Sequence, residues 1–192
     1  MRKVIAAINM TIDGVCDHTA GIPDEDLHQH YTRLLHNSGV ILYGGTTYQL
    51  MQFWQTLLKE PSGKKSMDDF ALAIDKIPKI VFSGTLKNTG WDSAKPATKE
   101  LENEVLELKQ QSGAAILVGS PSLIIQLINL NLIDELQLCI HPMLEGKGPL
   151  LFDKIKDRTI FKLLKTKTFE SGSIVLYYGP IGQGTRTGNG AF

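Results

Sequence analysis

Apolar residues recur along this chain in two alternating rhythms. Lys3 to Thr11 is a short run rich in Val, Ile and Ala, ended by Asp13-Gly14, which predicts a buried strand closed by a turn. From Asp24 to His36 the apolar Leu27, Tyr31, Leu34 and Leu35 follow helical spacing behind Pro23 and an acidic first turn. Val40 to Tyr43 predicts a second strand, and Thr46 to Leu58 a helix whose stripe of Tyr48, Met51 and Trp54 reads as core packing. A polar loop, Ser62 to Ser66, leads to a helix over Met67 to Ile77, then a strand over Lys79 to Phe82 behind Pro78.

The alternation continues with a charged amphipathic helix, Glu100 to Gln111, a strand, Ala115 to Val118, and a helix, Ser122 to Leu130. Asp134 to His141 reads as a strand and Gly146-Lys147-Gly148 as a flexible turn. Phe161 to Phe169 and Ile174 to Tyr178 predict a hairpin across residues 170–173. Strands alternating with helices imply an α/β fold, with a mostly parallel sheet covered on both faces and an antiparallel hairpin at its end.

Composition narrows this picture. A length of 192 residues with 42% hydrophobic and 21% charged side chains suits one packed domain, expected over residues 1–180, with a glycine-rich, disordered tail over 181–192. Twenty basic and twenty acidic residues cancel, so no long-range field attracts nucleic acid or anionic lipid. The apolar run behind Met1-Arg2-Lys3 stops at Ile8, and no stretch approaches the roughly 20 residues of a membrane span. Cys16 and Cys139 form neither a disulfide framework nor a zinc motif, which fits a cytoplasmic protein.

Three loops carry candidate chemistry: Gly44 to Thr47, Ser83 to Leu86 and Gly119 to Ser122. Each joins a glycine, which lets backbone approach a ligand, to hydroxyls that donate to phosphate. Each follows a strand, where open α/β sheets bind ligands. The GxGxxG fingerprint is absent, so a standard Rossmann site is not supported.

Ile12-Asp13-Gly14, Leu42-Tyr43-Gly44-Gly45-Thr46-Thr47-Tyr48, Val81-Phe82-Ser83-Gly84-Thr85-Leu86 and Ile116-Leu117-Val118-Gly119-Ser120 occur in that order. Leu132-Ile133-Asp134-Glu135-Leu136, Pro142 and Gly146-Lys147-Gly148-Pro149-Leu150-Leu151-Phe152 follow. The series resembles the dihydrofolate reductase-like family, in the branch related to the reductase domain of the riboflavin-biosynthesis deaminase-reductase. That resemblance implies a three-layer α/β/α homodimer that binds NADPH and passes hydride to a pteridine or an aminopyrimidine. No zinc-deaminase His/Cys signature is present, so only the reductase half is expected.

The resemblance implies Gly44, Gly45, Thr46 and Thr47 as the pyrophosphate turn, and Ser83, Gly84, Thr85 and Leu86 as the adenosine-side loop. Gly119 and Ser120 would lie beside the pyrophosphate, with Ala7, Gly14 and Leu123 along the same cofactor. Relatives place basic residues at the positions of Gly45 and Gly84, which leaves NADH open as the cofactor and a catalytically silent nucleotide-binding protein as a second reading. Asn9, Asp13 and Asp17 would face the substrate, and Asp26 or His18 would supply the proton that reduction of a C=N bond needs. The bland alternatives are a solvent-exposed His18, an Asp13 that only shapes its turn, and weak i, i+4 surface pairs for Asp24 with His28 and Asp26 with His30.

Overall fold

A computed structural model describes residues 1–19, 21–86 and 88–181. The chain runs β1 (Val4–Thr11), α1 (Glu25–His36), β2 (Ser38–Gly44), α2 (Gly45–Met51), α3 (Phe53–Lys59), α4 (Lys65–Lys76) and β3 (Lys79–Phe82). It continues with β4 (Ala94–Pro96), α5 (Leu101–Gln110), β5 (Ala115–Val118), α6 (Pro121–Asn129), β6 (Glu135–His141), β7 (Phe161–Thr168) and β8 (Ile174–Pro180). The tail expected at 181–192 lies, apart from Ile181, outside the described residues.

The strands form one sheet in the order β4-β3-β2-β5-β1-β6-β8-β7. Pairing is parallel from β4 through β6 and antiparallel from β6 to β8 and from β8 to β7, the arrangement that the alternating rhythms imply. Parallel strands end on the same side, so the turns after β1, β2, β3, β5 and β6 share one sheet edge.

Period-two alternation divides each strand between two cores. On one face Val4, Ala6, Val40, Leu42, Ile116 and Val118 pack under α5 and α6, through Val105, Ile124 and Leu127. On the other, Ala7, Ile41, Tyr43 and Leu117 pack with Leu35 of α1, Tyr48 of α2 and Ile74 of α4. Leu27 of α1 covers Cys139, Val175 and Tyr177 toward the hairpin. Each such buried aliphatic side chain contributes about 1.5–3 kcal/mol over its exposed state.

Two departures from the predicted elements have identifiable causes. The single helix expected over Thr46 to Leu58 is divided at Gln52, whose N–H is shared between the carbonyls of Tyr48 and Gln49 while its side chain reaches the Thr89 carbonyl at 3.2 Å. The three-residue β4 has no apolar alternation, and its Pro96 is tolerated because β4 is an edge strand. Tyr48 is fully buried and donates to the Thr89 carbonyl, which makes it part of the core.

Candidate functional site

The shared strand edge carries two adjoining groups of residues. The first is a cavity of about 260 Å³ at the ends of β2 and β3 and the start of α6, lined by Gly44 to Thr47, Phe82, Glu100, Leu101, Ser122, Leu123 and Gln126. Its walls are held close. The Gly44 N–H donates to the Oγ of the fully buried Ser120 at 2.8 Å, and a Cβ on Gly44 would lie 3.2 Å from Ser122 Oγ. Ser120 also precedes the first turn of α6 without capping it, and Pro121 opens the helix, so the Ser122 and Leu123 N–H groups have no side-chain cap. Uncapped N–H groups, glycine backbone and the hydroxyls of Thr46, Thr47 and Ser122 make a set of donors suited to a pyrophosphate.

Gly45 has a different meaning from the one its relatives suggest. A Cβ there would lie 3.0 Å from Ser83 Oγ and 3.1 Å from Ser83 Cβ, so the turn after β3 approaches too closely for a side chain to be added without displacement. Gly84 is unconstrained, with nothing within 4 Å of its Cβ position. Ser83 Oγ accepts the Leu86 N–H at 3.2 Å and shapes the loop that carries Thr85. Among the described residues that line the cavity Glu100 alone is charged.

The second group lies at the ends of β1 and β6. Strand β1 pairs with β5 only through Ala6 but with β6 through Thr11, so beyond Ala6 it overhangs the end of β5. Asn9 stands exposed on this overhang, two strand spacings or about 10 Å from the Gly44 turn. Its Oδ1 accepts from the Tyr31 hydroxyl at 2.8 Å and lies 3.3 Å from His141 Nε2. His141, only 1% exposed, receives the Ile22 N–H on Nδ1 at 3.1 Å, with Ser173 Oγ also 3.1 Å away. Burial lowers the His141 pKa and keeps the ring neutral. Burial also pushes the neighbouring Cys139 thiol up to about 12, which removes it as a nucleophile.

The acidic candidates separate on inspection. Asp13 accepts from the Thr11 hydroxyl and from the Gly146 and Glu145 N–H groups, and these bonds hold its carboxyl at about 2. It ties the turn after β1 to the Gly146-Lys147-Gly148 loop. The same junction explains the latter motif: a Cβ on Gly148, at φ +128°, would meet Val15 at 2.7 Å. Gly14, at φ +84°, turns the chain there, and its carbonyl accepts the Leu151 N–H. Asp17 accepts from the Thr19 N–H and hydroxyl, and His18 stands exposed beside it at 3.4 Å.

Asp26 is exposed on α1, where it faces Lys167 of β7 rather than the cavity. Asp24 is the acidic residue of that turn tied to the polar group. It caps α1 by accepting the Leu27 N–H and reaches the Ser171 N–H at 3.3 Å, beside Ser173. His30 is buried among Tyr31, Phe169 and Tyr177, and its Nε2 has no hydrogen-bond partner among the described residues. Sequence reasoning missed His141 and Tyr31. The available signal was a histidine closing an otherwise apolar strand, and it does not identify the partner.

Comparisons with known proteins agree with this fold. A Bacillus subtilis relative, the uncharacterized protein YyaP, is 33% identical over 181 residues, covering 92% of this chain and 94% of its own. A Shewanella sp. PV-4 structure, provisionally assigned to riboflavin biosynthesis, superposes with TM-score 0.70 at 16% identity, over 94% of this chain and 99% of that one. The deaminase/reductase of Thermotoga maritima matches with TM-score 0.61 at 16% identity, over 94% of this chain and 57% of that one. The family model of the RibD C-terminal domain spans residues 2–175, and the chain belongs to that family, on its dihydrofolate reductase-like fold.

Proposed function

We propose that the protein is an NAD(P)H-dependent oxidoreductase that reduces a pteridine or aminopyrimidine-type heterocycle, working as a cytoplasmic homodimer. The observation that carries this reading is the continuity of the shared edge, a phosphate-suited cavity at Gly44 and Ser122 leading across the end of β5 to exposed Asn9. Gly44 to Thr47 and Ser122 would hold the pyrophosphate, Ser83 to Leu86 and Gly119 would flank the adenosine side, and the overhang from Ala7 would meet the nicotinamide. When bound, the dinucleotide supplies the hydride.

Reduction of C=N also consumes one proton. His141 Nε2–H faces Asn9, and the Asp13 and Asp24 carboxylates are engaged by backbone and hydroxyl donors. The proton therefore comes from water at the open mouth, with Asn9 and Tyr31 orienting the substrate. Homodimer formation is supported by the edge strand β7, which exposes Leu163 and Leu164.

Thermal unfolding with NADPH and with NADH, each at millimolar concentration, tests the cofactor. A rise in midpoint with either is expected. Loss of nicotinamide absorbance with a panel of pterins and aminopyrimidines then tests the reaction. A midpoint unmoved by both dinucleotides would overturn the reductase reading. Binding without turnover on any member would favour the catalytically silent alternative.

A further inference from the structure

We infer that Asn9 recognises the substrate as a pure hydrogen-bond donor, locked in that sense from behind by His141, so the accepted heterocycle presents a carbonyl oxygen or an unprotonated ring nitrogen to it. The inference deepens the proposed reductase function and rests on it for the kind of molecule bound. Its direction comes from a chain of donors that begins in the backbone.

The Ile22 N–H can only donate, and it points at His141 Nδ1 at 3.1 Å. Nδ1 therefore carries no proton, and a neutral imidazole must carry it on Nε2. Ser171 donates its hydroxyl to Ser173 Oγ at 3.1 Å, so the Ser173 hydrogen remains for the same Nδ1, which agrees. Flipping the ring would place a carbon against the Ile22 N–H. A donor at Nε2 then requires an acceptor opposite it, and Asn9 Oδ1 at 3.3 Å is a stronger and nearer acceptor than the Cys139 sulfur at 3.9 Å. The Tyr31 hydroxyl gives that oxygen a second bond at 2.8 Å.

With both lone pairs of Oδ1 used, the amide cannot rotate to offer its oxygen to a ligand without breaking two bonds and leaving the buried His141 Nε2–H only the weakly accepting Cys139 sulfur, 3.9 Å away. The Asn9 NH2 has no acceptor among the described residues, and the side chain is exposed on the overhang of β1. It offers two donors and no acceptor. Asn9 is thus a specificity residue that touches substrate, and His141 is a positioning residue that acts through it.

Two measurements test this. The ring-nitrogen shifts of His141 in NMR are expected to report the Nε2–H tautomer; the Nδ1–H tautomer would overturn the inference. Binding of pterin is then compared with that of its diamino analogue, in which an amino donor replaces the ring carbonyl. The unmodified protein is expected to favour pterin by about ten-fold, the scale of one unmade buried hydrogen bond. Asn9→Asp, an exposed change that supplies an acceptor, is expected to invert that order. His141→Gln is expected to erase the preference while leaving the dinucleotide response intact, which loss of the fold would not do.

An unchanged preference in Asn9→Asp, or binding of neither pteridine by protein that still binds NADPH or NADH, would overturn the assignment of Asn9. If neither dinucleotide binds but Asn9→Asp still inverts the order, the reductase function fails and the donor role of Asn9 stands.

Discussion

The two halves of the strand edge are built on opposite principles. The cavity at Gly44 uses backbone N–H groups, short hydroxyls and the absence of side chains, all from turns that directly follow strands. The polar group at Asn9 uses individual side chains brought together from β1, α1, β6 and the hairpin turn, across sequence separations of 22 residues to Tyr31 and 132 to His141. The first suits an invariant, phosphate-bearing cofactor. The second selects among substrates by donor and acceptor pattern. A phosphate site can be made from local chain geometry, whereas a fixed tautomer requires long-range packing.

That contrast can be broken from either side. The largest expected effect is on stability at the cavity wall: Ile124 of α6 is fully buried, and Ile124→Ala should cost about 2–5 kcal/mol in denaturant unfolding. Because α6 presents the uncapped N–H groups of Ser122 and Leu123, dinucleotide binding should weaken in that variant while His141 keeps its tautomer.

Behind the polar group, His30 offers an acid test. Burial first, and Lys167 and Arg33 next, hold its pKa at about 4 against 6.5 unfolded. The unfolded chain therefore binds the proton more readily. The stability from keeping this ring neutral is full above pH 6.5 and is lost progressively as the pH falls from there toward 4, by about 3 kcal/mol in all. His30→Phe should flatten that part of the stability profile; an unaltered slope would show that other groups govern it.

A smaller effect sharpens the reading of the glycines. Gly45→Leu should weaken dinucleotide binding about ten-fold or more, since the new side chain must displace Ser83 or enter the cavity. Gly84→Arg meets open space and should instead raise affinity for NADPH over NADH through a cation beside the adenosine phosphate. Equal losses at both positions would contradict the steric distinction between them. The smallest effect is expected at Asp26: Asp26→Asn should leave turnover within about two-fold, because an exposed carboxylate opposite Lys167 of β7 is worth little.

Much of the cavity was legible in the sequence because its chemistry is local. Gly44, Thr46, Thr47 and Ser122, which line it, each sit within a few residues of a strand end, and the alternation of apolar positions placed those ends on one edge. Gly45 was legible as a glycine but not as a contact, since Ser83 lies in the turn after a different strand. Asp13 looked like a ligand group, and its bonds to Gly146 and Glu145 arise 133 and 132 residues away. Asp26 matched by position on the first helix, but Asp24 has the capping geometry and the bond to Ser171. The break at Gln52 depends on Thr89, and β4 depends on β3 to pair with it. The break at Gln52, the strand β4 and the Gly45–Ser83 approach each depend on a long-range partner that no local period encodes.

The overhang of β1 past β5 has a kinetic consequence. Ile5 and Ala6 are flanked by strands on both sides, so their amides should exchange with solvent deuterium only through large-scale opening, while the Asn9 amide lies beyond the end of β5 and has no backbone partner among the described residues. A single eight-residue strand therefore carries its own slow reference and its own fast reporter. Slowing of exchange at the Asn9 amide on adding a dinucleotide would read occupancy of the site without any need to know the substrate.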